Sequence, residues 1–431
     1  MLALVEHENS RVRRAAATGL GKAGGPGVEA ALLAGFERAD LPERRARVEA
    51  LGKVGGEESR RFLGALSSDD AELERRRTRS LVMLSRSVGR ELGTLELDRP
   101  LPSTARLVLL CRRGLGAVLA EEARSSGLPE PLDSTASELA LAWAGPLRPL
   151  LSLRVALEVG IEIPIAGASE SRVLAALREV TPLLAVLGSG VPRFRLAWGK
   201  QRARTFRIAE ALDPCLLVND PHGALWEARV EERRLLVVAR PDVDPRFEYR
   251  GRDVPAASHP SVAAALARVA GVRADDVVWD PFVGSGLELC ERGLLGPFAR
   301  LVGTDTSERA LDAARVNLRR AGLGAELSCA DATRFPASGV TLLITNPPMG
   351  RRVARGELAG LLARFVDHAA RCLAPGARWV WLSPLPVETA RALSARGLRV
   401  ERRGAVDLGG FDAELQVAFT SPASGAKMPP P

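Results

Sequence analysis

The stretch TLLITNPPMGRR (Thr341–Arg352) carries an apolar, β-favouring run into Asn346, Pro347, Pro348 and Met349. An exocyclic amino group on a planar ring is a poor nucleophile, because its lone pair is delocalised into the ring. An asparagine side-chain oxygen and a neighbouring backbone carbonyl can both accept from that NH2. Two acceptors draw the nitrogen toward tetrahedral geometry and free its lone pair for attack. Proline fixes φ and carries no N–H, so Pro347 presents its carbonyl rigidly. Catalysis of this kind is positioning and electrostatics, with no metal and no covalent step.

Three acids occupy comparable places upstream. In VVWDPFVGSGLELCERG, Asp280 ends a strand and is followed by a turn of Gly284, Ser285 and Gly286 into a helix. Glycines there let the backbone approach a ligand beside the helix N-terminus. Asp305 closes the next strand, where an acid receives a ribose diol through charge-assisted hydrogen bonds. Asp331, in CADATRF, follows the third and can accept from an adenine amino group. Together they outline an adenosine pocket at the carboxyl edge of a sheet. They do not separate NAD from S-adenosylmethionine. The Asn-Pro-Pro at the fourth strand does, because a dehydrogenase gives it nothing to do.

The elements that position these residues follow from periodicity. From about Ala257, the runs DDVVWD, ARLVGTD, AELSC, VTLLITN and ARWVWLSP alternate with helical stretches such as SERALDAARVNLRRAG. Apolar strands alternating with helices specify a parallel, doubly wound sheet. LRVERRGAVDLG and ELQVAFTSP close it, giving an α/β Rossmann-like domain over 257–422 with a seven-stranded, mostly parallel sheet. The tail 423–431 reads as disordered.

On these motifs, Ser258–Pro422 resembles class I S-adenosylmethionine-dependent methyltransferases of the amino-methylating, Asn-Pro-Pro-aromatic group. Within that group it is most similar to the THUMP-containing RNA guanine-N2 methyltransferases that act on tRNA or large-subunit rRNA. The resemblance implies that S-adenosylmethionine is held by Asp280, Phe282, Gly284, Ser285, Gly286, Asp305, Thr306, Asp331, Ala332 and Asn346. It adds Glu291, which occupies the place of an acid that follows the family's glycine turn. Asn346, Pro347, Pro348 and Met349 would be the catalytic group. Val283 stands where the family usually has cysteine. Met349 stands where Tyr or Phe stacks on the flipped base, a contact worth roughly 1–3 kcal/mol. A thioether covers a base face more softly. Arg351, Arg352 and Arg355 are placed to meet phosphates of the target strand.

The N-terminal 93 residues repeat. TGLGKAGG (Thr18–Gly25) returns as EALGKVGG (Glu49–Gly56), with a degenerate third copy in MLSRSVG (Met83–Gly89). Arginine-rich amphipathic runs precede each copy, and helix–turn–helix units with glycines at the turn build an α-solenoid. This segment resembles HEAT repeats. LELDRPLPST (Leu95–Thr104) reads as a linker. Alternating strand and helix signals over 103–250 indicate an α+β region. The resemblance makes it ferredoxin-like, from LLCRRGLGAVLAEEARSSG, followed by a THUMP module. Within it RFRLAWGKQRARTFR (Arg193–Arg207) interleaves aromatics with six basic residues, so Arg193, Arg195, Trp198, Lys200, Arg202 and Arg204 are expected to bind RNA, the alternative being a strand and helix whose aromatics face the core.

Bulk properties fit this reading. The chain has 431 residues, 46% hydrophobic and 26% charged, with a net charge of +8. That charge suits a polyanionic partner, although all but four of its 60 basic residues are arginine, as compositional bias would also produce. Five widely spaced cysteines and four isolated histidines argue against a zinc site or disulfide framework and for a reducing, cytoplasmic setting. No apolar run approaches the ~20 residues that span a bilayer. The expected substrate is tRNA or rRNA, with no metal and no membrane, and with the HEAT-like repeats available to a protein partner. N6-adenine or protein-glutamine methylation stays open, as does an RNA-binding scaffold with a degenerate site.

Overall fold

The computed structural model describes residues 1–87, 93–241, 244–255, 257–350 and 355–422. Arg351, Arg352 and the tail 423–431 therefore lie outside the described residues, and of Arg355 only its place at a helix start is described. The chain groups into two compact units that do not run in chain order. One holds 1–105, 144–146 and 161–242; the other holds 106–143, 147–160 and 243–431. The segment 103–250 contributes to both. No helix among the described residues is long and apolar enough to cross a membrane.

The first unit opens with α1 (Ser10–Ala23), α2 (Val28–Ala34), α3 (Leu41–Val54), α4 (Glu57–Ala65) and α5 (Ala71–Ser87). Asp40 caps α3 by accepting from the Glu43 N–H at 2.9 Å, with Pro42 in the first turn, the usual chemistry of a helix start. Leu20, Leu32, Phe36, Val48, Leu51, Leu63 and Leu84 form the shared core. Gly24 and Gly55 end α1 and α3, as turn glycines should. The other repeated glycines do something the sequence does not announce. A Cβ on Gly21 would lie 2.8 Å from the Ala50 Cα, and one on Gly52 would lie 2.7 Å from the Ser80 Cα. Gly21 and Gly52 sit inside helices and let α1 approach α3, and α3 approach α5, almost backbone to backbone.

The arginines of these helices are not all surface charges. Arg47 is fully buried; its guanidinium donates to Glu43 (2.8 Å) and to the carbonyls of Leu32 (2.9 Å) and Val5 (3.0 Å). Arg13 takes the other Glu43 oxygen at 2.9 Å. A buried charge is tolerable only when paired and fully hydrogen-bonded, and Arg47 meets both conditions.

Further elements follow in the chain: β1 (Ala105–Leu110), α6 (Gly116–Ser125), β2 (Asp133–Ser134), β3 (Glu138–Trp143), α7 (Arg148–Leu151) and β4 (Glu158–Pro164). Then come α8 (Glu170–Val186), β5 (Arg193–Ala197), α9 (Arg202–Ala211), β6 (Val218–Asn219), β7 (Trp226–Val230) and β8 (Arg234–Ala239). In the first unit the strands run β8-β7-β5-β6, and α5 packs against α9. In the second they run β2-β3-β1, and β4, next in order, is divided between the units after Gly160.

The rest of the second unit is the doubly wound domain: α10 (Pro260–Ala270), β9 (Val277–Asp280), α11 (Leu287–Leu295), β10 (Arg300–Asp305), α12 (Glu308–Arg320), β11 (Glu326–Cys329) and β12 (Val340–Thr345). It closes with α13 (Arg355–Cys372), β13 (Leu373–Ser383), α14 (Pro386–Ala395), β14 (Arg399–Asp407) and β15 (Asp412–Phe419). The sheet order is β11-β10-β9-β12-β13-β15-β14, parallel through β13, with β15 antiparallel to both neighbours. Trp279, Phe365, Trp379 and Trp381 pack on one face, with Trp379 and Trp381 edge-to-face at 5.2 Å. Asp276, just before β9, is buried and holds Arg292 and Arg378 at 2.7 Å each, locking the edge of the sheet remote from the strand C-termini.

The glycine contacts yield a paired expectation. Gly52→Ala should destabilise the first unit by about 1–3 kcal/mol through overpacking. Gly64→Ala, in α4 with nothing within 4 Å of the added Cβ, should stabilise by about 0.5–1 kcal/mol. Urea unfolding of the two variants checks this; equal effects would remove the close approach at Gly52 as its cause.

Candidate active site

Strand β9 lies between β10 and β12, so the chain departs to opposite sides of it and leaves a crevice at the carboxyl ends. Asp280 ends β9, Asp305 ends β10, Asp331 follows β11 and Asn346 follows β12. The topology thus brings the four expected polar residues to one edge.

The glycine turn is built as its residue types require. Gly284 (φ +50°) and Gly286 (φ +82°) occupy the left-handed region that favours glycine. The Gly284 N–H donates to Asp305 at 3.1 Å, and Gly286 caps α11. A Cβ on Gly286 would also come within 3.1 Å of Ala314, so the turn seats α11 on α12. Asp280 is fully buried. Its Oδ1 accepts from the Thr345 hydroxyl (2.6 Å) and the Phe282 N–H (3.2 Å), but its Oδ2 has no partner. The Ser285 Oγ is likewise buried and unpartnered. Native proteins rarely leave such atoms unsatisfied, so a polar ligand in the turn is the fitting complement. Burial pushes the Asp280 carboxyl well above the usual range, and the Glu288 carboxylate nearby adds to the rise.

Asn346 is the best-defined residue of the site. Its Nδ2 donates to the Ser258 Oγ at 2.8 Å, and the Ser258 hydroxyl donates in turn to Glu288. This chain of donors assigns the amide's orientation. Its Oδ1 is buried and has no protein partner. Glu288, in the first turn of α11, is itself buried, and burial raises its carboxyl. Neither Ser258 nor Glu288 is picked out as functional by sequence reasoning. The one available signal is a glutamate in an otherwise apolar helix start, LELC. Pro347 is buried, Pro348 exposed and Met349 half-buried.

The remaining expected residues divide. Phe282 is half-buried, edge-on to Phe365 at 4.9 Å. Asp305 is half-exposed and already accepts from Gly284 and from the Ser307 N–H (2.9 Å), with lone pairs to spare. Thr306 and Asp331 are exposed and Ala332 is buried. The Thr333 N–H donates to Asp331 at 2.8 Å and lowers its carboxyl.

Glu291 is a correction. Arg154 reaches its two oxygens at 2.6 and 2.9 Å, the Tyr249 hydroxyl donates to it at 2.6 Å, and its side chain is 1% exposed. Its oxygens are taken up in a buried ion pair, where the expectation had an acid facing the cofactor.

Two of the expected RNA contacts are corrected as well. Arg193 is buried against Asp220 at 3.0 Å, and Trp198 is buried with the Arg204 guanidinium over its ring at 5.3 Å. Neither presents a free surface. Arg195, Lys200, Arg202 and Arg204 are exposed.

The reassignment of Glu291 is testable. Glu291→Ala leaves Arg154 without its carboxylate and should cost about 3–5 kcal/mol of stability, as broken buried pairs do. Thermal and urea unfolding measure it; unchanged stability would return Glu291 to the ligand-contacting set.

Residues 248–412 match the model of the RMKL-like methyltransferase domain, and residues 1–82 match that of HEAT repeats. The tRNA (guanine(10)-N2)-dimethyltransferase of Methanothermobacter thermautotrophicus is 33% identical over 165 residues, covering 37% of this chain and 47% of that protein. The tRNA (guanine(6)-N2)-methyltransferase of Thermus thermophilus is 35% identical over 156 residues, 34% of this chain and 47% of that protein. The chain thus spans about half the length of these curated relatives. Among solved structures, TrmN from Thermus thermophilus superposes with a TM-score of 0.59 at 26% identity, covering 73% of this chain and 99% of that one. The second unit is thus similar to methyltransferase domains over 248–412, and the first helices are similar to HEAT repeats over 1–82.

Proposed function

We propose that the protein transfers a methyl group from S-adenosylmethionine to the N2 amino group of a guanine in RNA, with tRNA as the substrate class. The observation that carries this is the Asn346 amide, whose nitrogen is tied back to Ser258 while its oxygen is buried and unpaired. That is the state needed to accept from an incoming NH2. The resemblance to enzymes named for guanine N2 of tRNA selects guanine over adenine N6 or a protein glutamine, whose planar amino groups the same geometry would suit. A scaffold with a degenerate site would have no use for an amide held in this way.

The unpartnered Asp280 Oδ2 and Ser285 Oγ, with Gly284 and Gly286, fit the cofactor; Asp305 and Asp331 fit its ribose and adenine. Bound there, S-adenosylmethionine supplies an electrophilic methyl on a sulfonium. The protein's part is positional. Asn346 Oδ1 and the Pro347 carbonyl accept from the guanine amino group and turn its lone pair outward, and Met349 covers the base. We read 103–250 as the ferredoxin-like and THUMP-type RNA-binding region, a reading supported by the likeness to TrmN over most of the chain.

The test is a pair of variants. Asn346→Ala should lower methyl transfer on the order of 10²–10³-fold, the cost of losing one preorganised polar contact to the reacting group. Calorimetric titration with S-adenosylmethionine should show nearly unchanged affinity. Ser258→Ala should lower kcat less and leave the KM for RNA in place. Near-full turnover in Asn346→Ala would contradict the mechanism.

A further inference from the structure

The basic run Arg193–Arg207 loses most of its charge to internal pairing. Arg193 pairs with Asp220, Arg195 with Glu227 at 3.9 Å, and both Arg204 and Arg207 with Glu170 at 3.6 and 2.5 Å. Lys200 and Arg202 remain exposed, with no ion-pair partner among the described residues. Arg202 opens α9 and faces a cleft of about 630 Å³ whose other wall is α5 of the repeats. Nothing in the catalytic reading accounts for this cleft.

Its lining is ordered by chemistry. On α5, Arg75, Arg76, Arg79 and Met83 recur at helical spacing on one stripe, and on α9 Arg202 and Phe206 stand one turn apart. The two acids of the cleft are already engaged. Arg76 binds Glu72 at 2.7 Å and Glu49 at 2.8 Å; Arg75 also pairs with Glu72, and Lys53 with Glu49. Arg79 is exposed and in no salt bridge among the described residues. The cleft therefore keeps a positive excess at Arg79 and Arg202, above half-buried Met83 and Phe206.

We infer that this cleft between the last described repeat helix and α9 binds single-stranded RNA. Arg79 and Arg202 engage successive phosphates, and one base lies against Phe206 and Met83. Arginine for phosphate with an aromatic and a thioether for a base face is the chemistry of strand binding without sequence readout. It gives the HEAT repeats a role on the substrate. The inference rests on RNA being the substrate, as proposed above.

The test uses the full chain and a fluorescein-labelled single-stranded RNA oligonucleotide, with anisotropy read over a range of salt concentrations. Arg79→Glu/Arg202→Glu should weaken binding roughly tenfold or more and reduce the salt slope by about 1.4, two phosphates at about 0.7 each. The milder Arg79→Gln/Arg202→Gln should show the slope change, and both should keep the wild-type melting temperature because the side chains are exposed. If wild type binds and methylates RNA while these variants keep its affinity and slope, the cleft assignment is wrong and the proposed function stands. If wild type binds no RNA, both fall. Equal competition by polyglutamate would show a site for acidic chains in general and overturn the assignment to RNA.

Discussion

An asparagine can offer its oxygen to a substrate only when its nitrogen has a firm partner elsewhere; otherwise the amide turns over or hydrogen-bonds to itself through water. In this protein the partner is Ser258, held by Glu288, held by the first turn of α11. The orientation of Asn346 thus depends on the same glycine turn that shapes the neighbouring pocket. Gly286 seats α11 against α12, Gly284 ties the turn to Asp305, and Thr345 ties Asp280 to the strand that delivers Asn346. The amide and the pocket are one construction.

That construction buries two carboxyls, Asp280 and Glu288, near each other, an arrangement costly unless the surroundings compensate. Stability is secured away from the reacting edge. Asp276 with Arg292 and Arg378 fastens the far ends of the strands, and Glu291 with Arg154 and Tyr249 fastens α11 one turn beyond Glu288. The tryptophan-rich core behind β9, β12 and β13 supplies the rigidity against which such positioning works.

Much of the doubly wound domain was legible in the sequence because buried parallel strands read as unbroken apolar runs and their ends as punctuation. Asp280, Asp305, Asp331 and Asn346 could be placed at one edge from those runs alone. Residues whose role depends on a distant partner could not. Glu291 is decided by Arg154, 137 residues away, and Arg193 by Asp220, just past the end of β6. Trp198 looked like a stacking platform because interleaved charge and aromatics have the same pattern whether the aromatics face RNA or the core. Gly21 and Gly52 looked like turn residues for a similar reason: a glycine needed for helix contact and one needed for φ are the same letter. Ser258 drew no notice, since a hydroxyl two positions before a helix is ordinary.

The central claim is that this geometry methylates guanine N2 in RNA. Its most direct test is nucleoside mass spectrometry on separated tRNA and rRNA, from cells lacking the gene, after incubation with purified protein and methyl-labelled S-adenosylmethionine. The account predicts label in N2-methylguanosine, concentrated in the tRNA pool. Label in N6-methyladenosine, or none in either pool while the cofactor still binds, would contradict it.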